Sequence, residues 1–205
     1  MALLNIPNPL GQQLSIDLKI GEFIYVVGAN GSGKSSLMYR LFTQNSSISH
    51  RISGHRQTWF NSDEISLNGQ SISQIEKQKL QQDSKPTAIW KDDLAFFRSA
   101  LSIFRLTDQQ NDRISEVYEL VKAGSLSAAK KITAEDSPLD SLNRAFRYAN
   151  LNVQFTLSGS SGLKASKKNS PEYSIAELSD GERNALLLAS DILSVPSGTL
   201  LLIDE

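Results

Sequence analysis

The chain has 205 residues, of which 40% are hydrophobic and 21% are charged, with a net charge of −1 and no cysteine. These values are typical of one globular domain with a sizeable core, and they exclude disulfides, thiolate metal sites and a globally basic nucleic-acid binder. The apolar stretches are too short to span a membrane and the N-terminus lacks a basic signal segment, so we expect a cytoplasmic protein.

The first predicted elements are two strands, a turn and a helix. Residues 14–18 alternate apolar and polar side chains, as a half-buried strand does. After a turn at residues 21–22, residues 23–27 form a continuous apolar run, which predicts a strand buried on both faces. This run leads directly into the glycine-rich residues 28–33, and apolar side chains then recur at helical spacing through residues 35–43.

The strand–turn–helix order predicts a phosphate-binding loop. A phosphate chain needs several convergent backbone N–H groups, in conformations that glycine adopts without strain. Lys34 would place its charge against the β- and γ-phosphates, and Ser35 would offer its hydroxyl to Mg²⁺. A chance glycine-rich turn is the alternative. The predicted nucleotide-binding residues are Gly28, Ala29, Asn30, Gly31, Ser32, Gly33, Lys34, Ser35 and Ser36.

The middle of the chain, residues 70–150, is predicted to be mostly helical. One helix follows Asp92, and we interpret its apolar residues Phe96, Phe97, Leu101 and Phe104 as core packing. Residues 107–110 form a capping-box pattern that predicts the start of another helix, which would stop at Gly124. Ser137 and Pro138 predict a further helix start.

Short strands are predicted on either side of this helical region. Residues 56–60 and 152–157 have strand-like patterns, whereas residues 158–170 are rich in Ser, Gly and Lys and predict a mobile surface loop. The lysines of that loop, Lys164, Lys167 and Lys168, indicate only a solvated surface. Arg51, His55 and Arg56, beside Trp59 and Phe60, are better explained by a solvated loop that enters a buried strand than by a nucleic-acid contact.

The C-terminal part contains a polar helix start followed by an apolar strand. Ser179 has the position of an N-cap for a helix over residues 182–193, with acidic residues in its first turn. Residues 199–203 form the strand, which delivers Asp204 and Glu205 to its carboxyl end, where ligands bind in open α/β sheets. Asp204 would hold Mg²⁺, and Glu205 would orient the attacking water as the catalytic carboxylate, together with Lys34.

Taken in order, these three motifs resemble Walker A, the signature sequence and Walker B of the ATP-binding-cassette class of ATPases. The resemblance implies ATP and Mg²⁺ as cofactors and a head-to-tail dimer, in which the signature of one subunit meets the γ-phosphate held by Lys34 of the other. Asp180 and Glu182 depart from the commonest signature, which has glycine and glutamine there. The signature residues are Leu178, Ser179, Asp180, Gly181 and Glu182.

The same resemblance implies a glutamine that senses the metal, and Gln57 is the candidate, although a surface glutamine is an equal alternative. The metal ligands would then be Ser35, Asp204 and Gln57. The expected fold class is α/β, a P-loop NTPase with a mixed sheet like that of the ATP-binding-cassette ATPases, a helical insert and an incomplete C-terminus.

We expect one domain, with N-terminal strands, loop and first helix in residues 1–69, the helical insert in residues 70–151, and the signature helix and Walker B strand in residues 152–205. Because the sequence ends directly after the Walker B acids, we expect the 205-residue chain alone to hydrolyse ATP slowly or not at all and to aggregate.

Two further features indicate a branch within this class. The interval between Lys34 and Ser179 is longer than a transporter ATPase normally carries, and residues 56–60 and 174–185 resemble AAA-type ATPases related to the overcoming-lysogeny-defect family. That resemblance implies a regulatory ATPase of anti-phage defence or DNA repair, with a Toprim-like nuclease domain or subunit as partner. The alternatives are the ATPase subunit of a transporter and a truncated remnant that binds ATP without hydrolysing it.

Overall fold

The computed structural model describes residues 2–7, 13–52, 69–159, 162–168 and 170–204. These residues divide into two compact units, which are described separately. The first unit contains the described residues within Met1–Arg56, Ile75–Ala95 and Val195–Glu205, and the second contains those within Gln57–Gln74 and Phe96–Ser194. The alternation of strands and helices is that of a mixed α/β nucleotide-binding fold, as the sequence predicts.

The first unit combines an antiparallel hairpin, a helix and a parallel strand pair. Strands β1 (Ala2–Pro7) and β2 (Gln13–Leu18) form the hairpin, and helix α1 (Lys34–Gln44) follows. Strand β3 (Ser49–Ile52) pairs in parallel with β7 (Leu200–Ile203). The unit also contains the C-terminal part of helix α2 (Gly69–Asp83) and a 3-10 helix, Pro86–Ile89. Its core consists of Leu4, Leu41, Phe42, Leu200 and Leu202.

The second unit packs helices against a small antiparallel sheet. The helices are α3 (Ala95–Lys122), α4 (Leu126–Ala134), α5 (Pro138–Tyr148) and α6 (Asp180–Ser194). The sheet contains β4 (Gln154–Ser158), β5 (Gly162–Ser166) and β6 (Tyr173–Ser174), in that order, and the 3-10 helix Ile175–Glu177 follows it. Phe146 and Phe155 meet edge to face at 4.7 Å inside its core.

The predicted helix boundaries at Gly124 and Ser137 are confirmed. Gly124 has φ +75, in the left-handed region, and Ser125 N–H donates to Leu120 O at 2.9 Å, which closes the end of α3. At the start of α5, Asp140 N–H donates to Ser137 Oγ at 3.1 Å, while Ser137 N–H and Oγ donate to Asp140 Oδ2 at 3.0 and 2.7 Å. This reciprocal cap fixes where α5 begins.

Ser137→Ala should destabilise the protein by about 1 kcal/mol at neutral pH, because it removes the N-cap of α5. The hydrogen bonds from the Ser137 side chain and backbone also hold the pKa of Asp140 below its ordinary value of 3.8. That stabilisation is complete above the unfolded-state pKa and is lost as the pH falls through the folded-state pKa. The loss of unfolding free energy caused by Ser137→Ala, measured by chemical denaturation, should therefore become smaller below about pH 3.8. The control Ser127→Ala, at an exposed site, should change the free energy of unfolding little at any pH.

The apolar run 23–27 is not the doubly buried strand that the sequence predicts. Residues 22–29 have no regular secondary structure, and Phe23, Tyr25 and Val27 are 81%, 85% and 89% exposed. A strand needs neighbours that accept its backbone hydrogen bonds and cover its faces, and strand propensity alone does not supply them. Among the described residues β3 and β7 pair with each other, and none pairs with this run.

Two other local predictions were wrong. Thr107 does not begin a helix: it lies inside α3, and its hydroxyl donates to Phe104 O at 2.9 Å. The helix continues because Ile103 and Leu106 are buried in the core, so packing outweighs the local capping pattern. Residues 162–166 are not a mobile loop but form β5, whose Leu163 and Ala165 are fully buried.

The predicted core row of α3 is only partly buried. Leu101 is buried and Phe104 is half-buried, but Phe97 is 41% exposed. The Phe96 side chain and the strand predicted at residues 56–60 lie outside what the structure describes. None of the helices in the described part of the chain combines the length and the apolarity of a membrane span.

Candidate functional site: phosphate loop, Walker B strand and signature segment

The phosphate loop lies directly before α1 in the first unit. Gly31 and Gly33 have φ +80 and +90, conformations that any other residue would adopt only with strain. Gly33 caps α1 without any side-chain hydrogen bond to the first turn. The N–H groups at this helix start are therefore directed at solvent, together with the positive end of the helix dipole, which is the arrangement that binds phosphate.

The Lys34 side chain folds back against the backbone of the loop that precedes it. Its Nζ donates to Gly28 O at 2.9 Å and to Ala29 O at 3.1 Å, so the ammonium group lies against the loop backbone. An ammonium has three N–H donors, which leaves one for a phosphate oxygen while the other two hold the loop. The predicted role of Lys34 fits this position.

The Walker A serine and the Walker B aspartate meet. Ser35 Oγ donates to Asp204 Oδ1 at 3.1 Å, although the two residues are 169 positions apart. The parallel pairing of β3 with β7 continues to Asp204, whose N–H donates to Ile52 O at 2.9 Å. The carboxylate is thus delivered to the end of β7, beside the first turn of α1.

This pair of oxygens fits Mg²⁺. Magnesium keeps most of its waters and takes one or two protein oxygens plus phosphate oxygens, and Ser35 and Asp204 supply such a donor pair. Among the described residues, no three His, Cys, Asp or Glu side chains cluster as a self-sufficient metal cage would require. The other two predicted participants, Gln57 and Glu205, lie outside the described residues.

Arg51, on β3, lies behind the carboxylate. Its side chain is only 1% exposed, its Nη2 is 3.5 Å from Asp204 Oδ2, and its Nη1 donates to Ala88 O at 2.9 Å. Its Nε and Nη2 have no hydrogen-bond acceptor among the described residues, and the nearby Asp204 carboxylate compensates part of the charge of this buried cation. Arg51 belongs neither to the solvated loop that the sequence predicts nor to a nucleic-acid surface, because its side chain is buried on β3. His55, Arg56, Trp59 and Phe60 lie outside the described residues.

The signature segment lies in the second unit, at the start of α6. Leu178 is buried in the core, whereas Ser179, Asp180 and Gly181 are exposed. Glu182 folds back on Ser179: its Oε2 accepts from Ser179 N–H at 2.9 Å and from Ser179 Oγ at 2.7 Å. The predicted N-cap at Ser179 is therefore present, and it is a reciprocal one, since Glu182 N–H approaches Ser179 Oγ at 3.4 Å.

Both departures from the commonest signature are ion-paired. Asp180 Oδ1 accepts from Arg183 Nη2 at 2.6 Å, and Glu182 Oε1 lies 2.8 Å from Lys167 Nζ, in the segment after β5. Burial favours the neutral form of Glu182, but the hydrogen bonds from Lys167 and from Ser179 outweigh it and hold the pKa of Glu182 below 4.5. The bond to Glu182 also raises the pKa of Lys167.

Sequence reasoning missed the roles of Arg51 and Lys167. The sequence analysis groups both with neighbouring cations at the surface. In the structure Arg51 pairs with Asp204, which lies far along the chain, and Lys167 pairs with Glu182, which lies on another element. No local signal in the sequence marks the role of Arg51, because only the folded chain places its strand β3 beside β7. No local signal marks Lys167, which lies among other lysines in a Ser- and Lys-rich stretch.

Comparison with known proteins gives the family. The family model described as ABC transporter matches residues 11–205. A macrolide export ATP-binding/permease protein of Nitrosomonas europaea is 44% identical over 54 residues, which cover 25% of this chain and 8% of that protein. A tyrosine transport ATP-binding protein of Clostridioides difficile is 50% identical over 32 residues, which cover 16% of this chain and 13% of that protein.

The aligned stretches are thus a small part of the length of both relatives, and no solved structure matches the chain. The family model, in contrast, covers nearly the whole sequence and includes all three motifs. The protein therefore belongs to the ABC transporter family, whose ATP-binding domain is an ATPase.

Proposed function

We propose that this chain binds MgATP at the phosphate loop and hydrolyses it in a head-to-tail dimer. The observation that carries the proposal is the hydrogen bond between Ser35 Oγ and Asp204 Oδ1, which joins Walker A and Walker B at one point. Lys34 and the N–H groups of the loop would hold the β- and γ-phosphates, and Ser35 and Asp204 would hold Mg²⁺. Bound there, the metal neutralises charge that develops on the phosphates.

In this proposal Glu205 polarises and orients the attacking water, and Gln57 contacts the metal. The N-terminal end of α6 completes the site from the second copy. The Ser179 hydroxyl, which donates to Glu182 in the separate subunit, and the N–H of Gly181 are the donors that would turn to a γ-phosphate, and burial of Leu178 fixes the segment that carries them. ATP would therefore join two subunits, because each nucleotide takes donors from both.

The test of the dimer is sedimentation velocity with and without MgATP. The wild-type protein should dimerise when MgATP is added, and Ser179→Ala should weaken that dimer about tenfold by removing one donor to a charged group. Nucleotide binding to the separate subunit should not change. The exposed-serine control Ser127→Ala should behave as wild type. A nucleotide-dependent dimer that Ser179→Ala does not weaken would contradict the proposed geometry.

Two kinds of partner are candidates for coupling to ATP hydrolysis by such a dimer. The two relatives are named for macrolide export and tyrosine transport, which favours the membrane subunit of a transporter as the partner. The long interval between Lys34 and Ser179 and the sequence of residues 174–185 favour a soluble regulatory ATPase of anti-phage defence or DNA repair with a Toprim-like nuclease. The net charge of −1 gives nucleic acid no support as a direct ligand.

Co-purification from the native host separates these candidates. Recovery of the ATPase with a membrane protein, only when detergent is present, supports the transporter. Recovery from the soluble fraction with a nuclease, and ATPase activity that rises with DNA, supports the defence or repair role. Binding of MgATP with no turnover in either complex would instead support the remnant that binds but does not hydrolyse.

A further inference from the structure

The signature segment contains a carboxylate whose charge is directed at its own phosphate-binding donors. Glu182 Oε2 accepts hydrogen bonds from both the N–H and the hydroxyl of Ser179, at 2.9 and 2.7 Å. The same hydroxyl would have to donate to a γ-phosphate in the dimer proposed above. Glu182 therefore competes with the nucleotide for one donor, and as an anion it also repels the nucleotide's charge.

Lys167 counteracts that charge from a different element. Its Nζ is 2.8 Å from Glu182 Oε1, the oxygen that Ser179 does not use, so the carboxylate is held between Lys167 on one side and the cap of α6 on the other. The Glu182 side chain is 13% exposed while that of Lys167 is 49% exposed, so the pair lies at the surface and faces solvent through its cation. Tyr173, from β6, and Glu177, from the 3-10 helix, are further titratable groups of this cluster among the described residues.

We propose that Lys167 is a positioning residue for the signature segment: it holds Glu182 in the cap of α6 and neutralises the charge that an arriving γ-phosphate would otherwise meet. The expected effect of Lys167 on dimerisation rests on the proposed function, whereas its effect on the position of Glu182 does not. Arg183 neutralises Asp180 in the same way, 2.6 Å away. The two acids that distinguish this signature from the commonest one are thus each matched by a cation, which keeps the phosphate-facing segment close to neutral.

A second consequence concerns the hydroxyl proton. When the γ-phosphate accepts from Ser179 Oγ, Glu182 loses one hydrogen bond and keeps the Ser179 N–H and Lys167. Lys167 then provides the opposite charge beside the carboxylate, in addition to the hydrogen bond from the neutral Ser179 N–H. Without Lys167 the carboxylate would be free to turn toward the phosphate, and dimerisation would be disfavoured.

The experiment compares Lys167→Met, Glu182→Gln and the double variant, with Lys168→Met as the matched control on the next residue. In sedimentation velocity with MgATP, Lys167→Met should weaken the dimer about fivefold, the scale of one partly exposed ion pair. Glu182→Gln in the same chain should restore the dimer, because the unpaired charge is then gone. Lys167→Arg should behave as wild type. Nucleotide affinity of the separate subunit should be equal in all variants.

A structural measurement without nucleotide separates this inference from the proposed function. Amide hydrogen exchange at Ser179 and Glu182 should rise severalfold in Lys167→Met and return to wild-type rates in Lys167→Arg. If exchange responds in this way but no variant dimerises with MgATP, the proposed dimer is wrong and the positioning role stands. If Lys167→Met leaves both exchange and dimerisation unchanged, or if Glu182→Gln fails to rescue its dimer, the inference is overturned.

Discussion

Lys34→Ala is expected to weaken MgATP binding by about a hundredfold, because it removes a charged donor to the β- and γ-phosphates. The side chain also bonds the loop carbonyls Gly28 O and Ala29 O, but these atoms belong to exposed residues and water can replace the lysine. The free energy of unfolding should therefore change little. Titration with a fluorescent ATP analogue and chemical denaturation measure the two quantities on the same samples.

The matched control is Lys85→Ala, an exposed lysine of the same unit that lies outside the loop. It removes the same charge and should bind the nucleotide as wild type does. Equal weakening by both substitutions would mean that only overall charge matters. Undiminished binding in Lys34→Ala would show that the nucleotide is not held by this loop, and the proposed function would fail with it.

Asp204→Asn should produce two effects that have separate causes. It removes the carboxylate that would hold Mg²⁺, so nucleotide binding should lose its dependence on the metal and hydrolysis should fall to background. It also leaves the Arg51 charge buried without its partner, 3.5 Å away, which should destabilise the unit by about 3 kcal/mol. Binding with and without Mg²⁺ and denaturation curves measure these effects independently.

The double variant Arg51→Met/Asp204→Asn tests whether the loss of metal response and the loss of stability have separate causes. Removing the buried cation should recover much of the lost stability, since no unpaired charge remains, but it should not recover the metal response. Asp93→Asn is a suitable control because it breaks an exposed ion pair with Lys91, and it should shift stability by less than about 1 kcal/mol. Recovery of the metal response in the double variant would contradict the assignment of Asp204 as a ligand.

The motifs that could be predicted from the sequence are those whose physics is local. Gly31 and Gly33 are needed for backbone conformations at their own positions, and Ser137 caps the helix that begins at the next residue. The order of loop, signature and acidic strand then indicated which elements form the site. The contact between Ser35 and Asp204 agrees with that order.

What could not be predicted depends on distant neighbours. Residues 23–27 have the composition of a buried strand, but burial requires strands that pair with them, and composition does not report these. The edges of β5 pair with β4 and β6, and Leu163 and Ala165, two positions apart, share the face that is buried in the core, whereas the serines and lysines around them are typical of a loop. The ion pairs of Arg51 and Lys167 join elements that only the folded chain brings together.

The bond between Ser35 and Asp204 also constrains the order of folding. Because it spans 169 positions, the chain must close a long loop to form it, and such closure is entropically costly and slow. Residues 96–194 contain a core of their own and can collapse earlier on the ribosome. Until β7 pairs with β3, Asp204 is not beside the phosphate loop, and the proposed metal site lacks its acidic half. Competence to bind magnesium should therefore depend on the pairing of two strands that are distant in sequence.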